Sequence, residues 1–209
     1  FSDKEILVMN KKFKAIYTYY DDFDNLSKNI AKLISNSKVI GWFQGRSEFG
    51  PRALGNRSIL ADPRDNKMQK KLNLKIKYRE GFRPFAPSVL EEDYSLFFKE
   101  KMKSPYMLMV KEIKEDIRTK IPKNYSKLDY KKKLYTKRSK LQSITHVDFS
   151  SRIQTVSKST NLRYWKLIND FKKITKVGVL INTSFNVRGE PIVNSPEDAF
   201  KCFMNTEMD

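Results

Sequence analysis

The alternation of apolar runs with amphipathic segments predicts an α/β (α+β) domain, a sheet covered by helices. Short runs such as Val39-Ile40-Gly41-Trp42-Phe43 and Gly178-Val179-Leu180-Ile181 have the composition of buried strands. Phe23, Leu26, Ile30, Leu33 and Ile34 recur at spacings of three and four, the stripe of a core-facing helix. The two kinds of segment follow each other as β-α-β early in the chain and α-β-α late in it.

Taken in order, Phe13–Tyr19 alternates loosely and predicts a first strand. Asp21 and Asp22 then supply side-chain acceptors to cap the helix from Phe23. Val39–Phe43 and Ile59–Ala61 predict the next two strands. Asp65 opens a helix carrying Met68, Leu72 and Ile76 on one face. Pro84 and Pro87 bracket an irregular stretch before Val89-Leu90, and Tyr106–Val110 predicts another strand. Residues 111–140 hold ten Lys and two Arg with little periodicity, the pattern of a mobile surface insertion. Ile144–Val156 predicts a strand or hairpin. Leu162, Trp165, Leu167, Ile168, Phe171 and Ile174 mark a helix, followed by the strand at Gly178–Ile181. Ser195-Pro196-Glu197-Asp198 is a strong helix start: hydroxyl cap, Pro at the first position, then acids.

Composition narrows the function classes. The 209 residues are enough for a buried core, and 14 Phe with 10 Tyr argue against a disordered chain. No run approaches a membrane span, and no secretory leader is visible. The single cysteine, Cys202, excludes an internal disulfide and points to a reducing, cytoplasmic setting. One His and one Cys cannot build a His/Cys metal cluster, so no metal site is expected. The net charge of +18 raises nucleic-acid binding as a competing class, a basic RNA-binding module. Most of that charge is Lys in a chain also rich in Asn and Ile, which compositional bias alone would give. Nucleic acid is therefore not the expected partner. The chain begins at Phe1 rather than Met and stops at Met208-Asp209, so it reads as a piece of a longer polypeptide.

Arginine usage is the sharper signal. The chain has 31 Lys against 11 Arg, yet six of the arginines lie between Arg46 and Arg83. A guanidinium grips phosphate or carboxylate oxygens with a planar fork, whereas an ammonium is a hydrated point charge. The loop Gly45–Arg57 carries Arg46, Arg52 and Arg57 among three glycines, with Glu48 placed to pair with one of them. It suits a phosphate, or else a turn with solvated arginines, and it matches neither a Walker loop nor a dinucleotide fingerprint. Lys75, Lys77, Arg79 and Arg83 follow at a helix end and the turn after it. On a strand, His146, Asp148 and Arg152 share one face by parity. His146 is then a general base or a structural histidine, and Arg152 the better ligand candidate. The strand at Gly178–Ile181 runs into Asn182, Thr183, Ser184 and Asn186, donors for an anion at its carboxyl end, or a capped turn.

At these four segments the sequence resembles the C-terminal domain of the NodU/CmcH/TobZ family of O-carbamoyltransferases. The matching runs are GRSEFGPRALGNRSILADPR (45–64), FRPFAPS (82–88), HVD with RIQTV (146–156) and INTSFNVRGEPIV (181–193). The resemblance covers nearly the whole chain and implies a YrdC-like twisted mixed sheet flanked by helices, spanning about residues 20–195. It implies that the helix at 196–209 packs on an N-terminal domain. That domain would be of the actin/hexokinase-like kind, holding Fe²⁺ and performing the final transfer. The implied ligands are carbamoyl phosphate and ATP with Mg²⁺, combined into carbamoyl adenylate for a hydroxyl of a sugar or natural product. Lys77, Arg83 and Arg152 are similar to the family's catalytic positions. Arg46, Arg52, Arg57, Asn182, Ser184 and Asn186 are similar to its substrate-binding ones. Departures are Gly81 in place of a bulky aromatic, Phe149-Ser150 after HVD, and the length of the Lys-rich stretch.

Overall fold

In the computed structural model, which describes residues 1–209, six strands form one mixed sheet. The chain runs α1 (Asp3–Phe13), α2 (Phe23–Ser35), β1 (Ile40–Phe43), β2 (Arg57–Ala61) and α3 (Met68–Lys71). A π-helical turn at Leu72–Ile76 prolongs α3. Then come β3 (Ala86–Leu90), α4 (Tyr94–Phe97), β4 (Met109–Glu112), α5 (Tyr130–Tyr135) and β5 (Ser150–Val156). The last elements are α6 (Leu162–Thr175), β6 (Val179–Ser184) and α7 (Pro196–Met204).

The strand order is β1-β2-β6-β3-β5-β4, with β3 and β5 parallel and every other pair antiparallel. Successive residues of one strand feed two cores, because side chains alternate across a sheet. Ile59, Ala61, Val89, Val179 and Ile181 face a cluster that includes Met68, Leu72, Ile76 and Cys202. Leu60, Leu90 and Leu180 face the other way, onto Ala31 and Ile34 of α2 and Tyr164, Leu167 and Phe171 of α6. The result is helix, sheet, helix, the mixed α/β architecture the alternation predicts.

Several elements differ from expectation. Residues 13–19 are not a strand: Phe13 closes α1, Lys14 turns left-handed (φ 50°), and nothing pairs with the extended residues beyond. The helix itself is nucleated by a capping box, with Ser2 Oγ accepting from the Glu5 amide and Glu5 Oε2 from the Ser2 amide. Pro87 lies inside β3, where β6 flanks it, while pairing with β5 begins only at Ser88. Its missing N–H therefore leaves no gap on the β5 side.

Residues 111–140 are a folded wall rather than a loose insertion. They contain the end of β4, short 3-10 turns at 115–117 and 125–127, and α5. Arg138, 1% exposed, ties them down by donating to the carbonyls of Lys133, Leu134, Thr136 and Thr145. The segment 196–209 packs on this domain itself. Ala199 and Cys202 are in the core, and Phe13 meets Phe200 at 5.1 Å. Asp209 bridges Lys38 and Lys71 and accepts from the Val39 amide.

Candidate functional site

The sheet register brings the anion-binding candidates to one end. Ser58 pairs with Ser184 and Asn182 with Ala86, so the start of β2, the end of β6 and the start of β3 are neighbours. β5 runs parallel to β3, and Arg152 lies two residues before Gln154, the first partner of that pair. Asn182 is fully buried and donates to the carbonyl of Ala53, to Ser88 Oγ and to Gln154 Oε1. It thereby stitches the arginine-bearing loop to the sheet.

Two hollows open at this end. One, of ≈150 Å³, is lined by Arg52, Arg79, Arg152, Asn182, Thr183 and Ser184 among others. The second, of ≈210 Å³, is lined by Lys77, Arg79, Arg83, Ser184, Asn186 and Arg188 with Val187 and Gly189. Arg79 and Ser184 belong to both walls, and neither wall contains a carboxylate. Six basic groups therefore line two adjoining spaces, and Glu80 beside the second pairs with Arg83 at 2.9 Å and Arg188 at 3.7 Å. This leaves Arg52, Arg79, Arg152 and Lys77 without an acidic partner and repelling one another unless an anion enters.

The individual groups reflect that crowding. Burial and then the neighbouring Arg52 push the Arg152 guanidinium below its ordinary range. Its Nε has no partner, and its nearest acceptor is Met107 Sδ at 3.9 Å from Nη2. Arg79 is shifted down by burial and then by Arg83. Arg83 is more exposed and pairs with Glu80 at 2.9 Å.

Lys77 is 4% exposed, and burial, followed by Arg79, pushes its ammonium from 10.5 down to about 7. Four oxygens oppose that push: Ser184 O at 2.6 Å, Ser184 Oγ at 3.2 Å, Asn186 O at 2.9 Å and Asn186 Oδ1 at 2.6 Å. The folded value lies below the unfolded one, so the unfolded chain takes the proton first as pH falls. Stability is therefore lost between 10.5 and about 7 and recovered when an anion stabilises the charged form. Sulfate affinity is expected to rise as pH drops from about 8.5 to about 6, a range in which sulfate itself does not titrate. Calorimetric titration checks this, with Lys77→Met expected to flatten the profile.

Not every sequence candidate reaches the hollows. Arg57 is 1% exposed and donates to the carbonyls of Gln44, Asn56, Gly45 and Asn194, with its guanidinium 3.5 Å from the Phe43 ring centroid. It holds the loop together and is not positioned to touch a ligand. Arg57→Met is expected to cost about 2–4 kcal/mol in denaturant unfolding, since it orphans buried carbonyls. Any loss of anion affinity in the remaining folded protein should come through displacement of Arg52, which the same loop carries.

Arg46 is exposed and lines neither hollow. Glu48 pairs with no guanidinium: its Oε1 accepts from the amides of Leu54, Asn56 and Arg57 at 2.6, 2.8 and 3.3 Å. The strand parity drawn for His146 also fails. Residues 146–149 form a turn closed by the Phe149 amide on the His146 carbonyl, with Phe149 at φ 66°. His146 instead joins Asp148, Arg138, Phe82 and Tyr130 around a separate space of ≈160 Å³ that meets the first hollow at Pro84. Burial lowers its imidazole, with Arg138 and Arg152 adding to the shift and Asp148 opposing it.

Sequence reasoning left Arg79 and Arg188 out of the site, although both lie within the segments that carry it. The signal for Arg79 was its place in the same basic cluster as Lys77 and Arg83. A protein-held Mg²⁺ does not fit the hollows, whose donors are cations, amides and hydroxyls. No group of His, Cys, Asp and Glu elsewhere is arranged to hold a metal either. No helix is long and apolar enough to cross a membrane.

Known proteins resemble this chain in fold or in sequence. The region matches HypF structures, including one in a phosphate- and nucleotide-bound form, with TM-scores of 0.50 and 0.53 at 14% and 15% identity. These cover 91% and 90% of the chain and 20% of each HypF. An uncharacterized Synechocystis protein is 55% identical over 94% of this chain, and the nodulation protein NolNO of Sinorhizobium fredii 46% over 89%. The 3'-hydroxymethylcephem-O-carbamoyltransferase of Amycolatopsis lactamdurans is 38% identical over 79%. The chain spans only 32%, 25% and 27% of those three relatives. Carbamoyltransferase C-terminus is the family whose profile matches residues 31–209, and this chain belongs to it.

Proposed function

We propose that the paired hollows bind carbamoyl phosphate and ATP and join them into carbamoyl adenylate, as part of an O-carbamoyltransferase. The observation that carries this reading is the cationic lining of Arg52, Lys77, Arg79, Arg83, Arg152 and Arg188, in which only Arg83 and Arg188 have an acidic partner, Glu80. One phosphorylated molecule would not need two such spaces, whereas two anionic substrates brought into contact would. HypF in its phosphate- and nucleotide-bound form offers a precedent for such ligands on this fold.

The chemistry balances in two steps. Water adds to the carbonyl of carbamoyl phosphate and the C–O bond to phosphate breaks, giving carbamate and orthophosphate. A carbamate oxygen then attacks the α-phosphorus of ATP, and the bond to the β-phosphate breaks, releasing pyrophosphate. Both steps gather negative charge, which fixed guanidinium donors stabilise more strongly in a space withdrawn from bulk water. Arg52, Arg79 and Arg152 hold one anion against the Asn182–Ser184 strand end. Lys77 and Arg83 hold the other against the Ser184–Asn186 turn. Mg²⁺ would arrive with the nucleotide, bound by its phosphates rather than by this chain. Delivery of the carbamoyl group to a hydroxyl acceptor belongs to the Fe²⁺-holding N-terminal domain that the resemblance implies, in a cytoplasmic enzyme supplied with ATP.

The test is pyrophosphate release from ATP, with and without carbamoyl phosphate. Release that requires carbamoyl phosphate and falls about tenfold or more in Arg83→Ala supports the reading. If the folded chain binds neither substrate at millimolar concentration, the reading is wrong.

A further inference from the structure

We infer that Arg79 is the bridging ligand of the two hollows, one guanidinium that contacts an anion in each, and that Asn73 is the residue that aims it. This rests on the two-substrate reading above and assigns a role within it.

Arg79 follows Tyr78, whose backbone turns left-handed at φ 46° just past the π-helical turn. The Arg79 amide donates to the Asn73 carbonyl at 2.9 Å, and its Nε donates to Asn73 Oδ1 at 2.7 Å. Asn73 has no freedom to drift. It is fully buried, and its Nδ2 donates to the Arg83 carbonyl at 2.9 Å and the Gly81 carbonyl at 3.3 Å. The Phe85 ring supports the guanidinium from one side, 5.0 Å from centroid to Cζ.

With its amide and Nε pinned and its face supported, the guanidinium has a fixed direction. Its Nη1 and Nη2 make no hydrogen bond or ion pair with the protein, although the group is only partly exposed. These are its two outer donor atoms, and Arg79 lines both hollows. No other cation is shared: Arg52 and Arg152 line only the first, Lys77, Arg83 and Arg188 only the second. A fork of fixed geometry can serve two oxyanions at once, one from each end, where an ammonium serves one point. Arg79 therefore offsets the repulsion that carbamate and the α-phosphate otherwise impose as they meet.

The experiment reads simultaneous occupancy. The affinity for carbamoyl phosphate is measured by calorimetry alone and with saturating α,β-methylene-ATP, whose bridging carbon blocks pyrophosphate release. Inorganic pyrophosphate serves as a substrate-independent probe. In the wild type, the nucleotide analogue should leave carbamoyl phosphate affinity within about threefold. Arg79→Lys keeps the charge but not the fork. It should retain single-ligand affinity within about tenfold, yet weaken carbamoyl phosphate about a hundredfold once the analogue is bound. Arg79→Met should weaken pyrophosphate about tenfold or more. Asn73→Ser, which frees Nε, should reproduce the Arg79→Lys coupling, and ligand-free unfolding midpoints identify any variant that fails to fold. If Arg79→Lys supports joint occupancy like the wild type, the bridge is refuted. If wild type binds pyrophosphate but neither carbamoyl phosphate nor the nucleotide analogue, the two-substrate reading fails instead. In that event an unchanged pyrophosphate affinity in Arg79→Met refutes Arg79 as an anion ligand as well.

Discussion

Replacing Arg152 by Ala should reduce carbamoyl-phosphate-dependent pyrophosphate release by about a hundredfold or more, the scale of losing one fixed donor to a developing anion. The position explains why. Arg152 projects from β5 with an unpartnered Nε and touches nothing stronger than the Met107 sulfur. No structural hydrogen bond is lost with it, and removing a cation from beside Arg52 relieves repulsion. The ligand-free variant should therefore unfold at a midpoint equal to or above the wild type's. Circular dichroism melting beside the pyrophosphate assay checks both halves. A variant that melts early and loses activity in proportion would assign Arg152 to the fold instead.

Gly55→Ala should have the largest effect on the scaffold. Gly55 sits at φ 107°, a conformation that L side chains rarely adopt, and an added Cβ would lie 2.2 Å from the Tyr164 ring. Tyr164 is fully buried in the α6 core and cannot retreat without disturbing Leu167, Ile168 and Phe171. Strain and overpacking each contribute about 1–3 kcal/mol, so a loss of about 3–5 kcal/mol is expected. The damage is not confined to stability, because Gly55 donates its amide to Ser58 Oγ between the loop's arginines and β2. Chemical denaturation gives the stability loss. Pyrophosphate titration of the folded fraction should show weaker binding through displacement of Arg52.

What could be read without coordinates was mostly local. Asp22 and Ser195 cap the helices expected of them, since a side-chain oxygen beside an apolar stripe is a short-range signal. The apolar runs of β1 and β6 were equally plain. The Ser2–Glu5 capping box that opens α1 is equally local, and it went unread. Strand β3 was obscured by Pro87, whose placement depends on where β5 begins pairing some sixty residues later.

For the site, arginine clustering marked Arg52 and Arg83, and the strand segment marked Arg152, all three of which line the hollows. It could not separate them from Arg57, because composition does not say whether a guanidinium faces open space or a ring of carbonyls. The same limit applies to Glu48, whose carboxylate serves three backbone amides rather than a cation. Parity does not reach His146 because β5 begins only at Ser150, after the turn at 146–149.

The position of β6 has a consequence for biogenesis. It is the sixth strand to be synthesised, yet it lies between β2 and β3 near the middle of the sheet. Until residues 179–184 leave the ribosome, β2 and β3 both lack the strand that pairs with their facing edges. Closing the gap joins segments more than a hundred residues apart, which makes acquisition of the native topology slow and late.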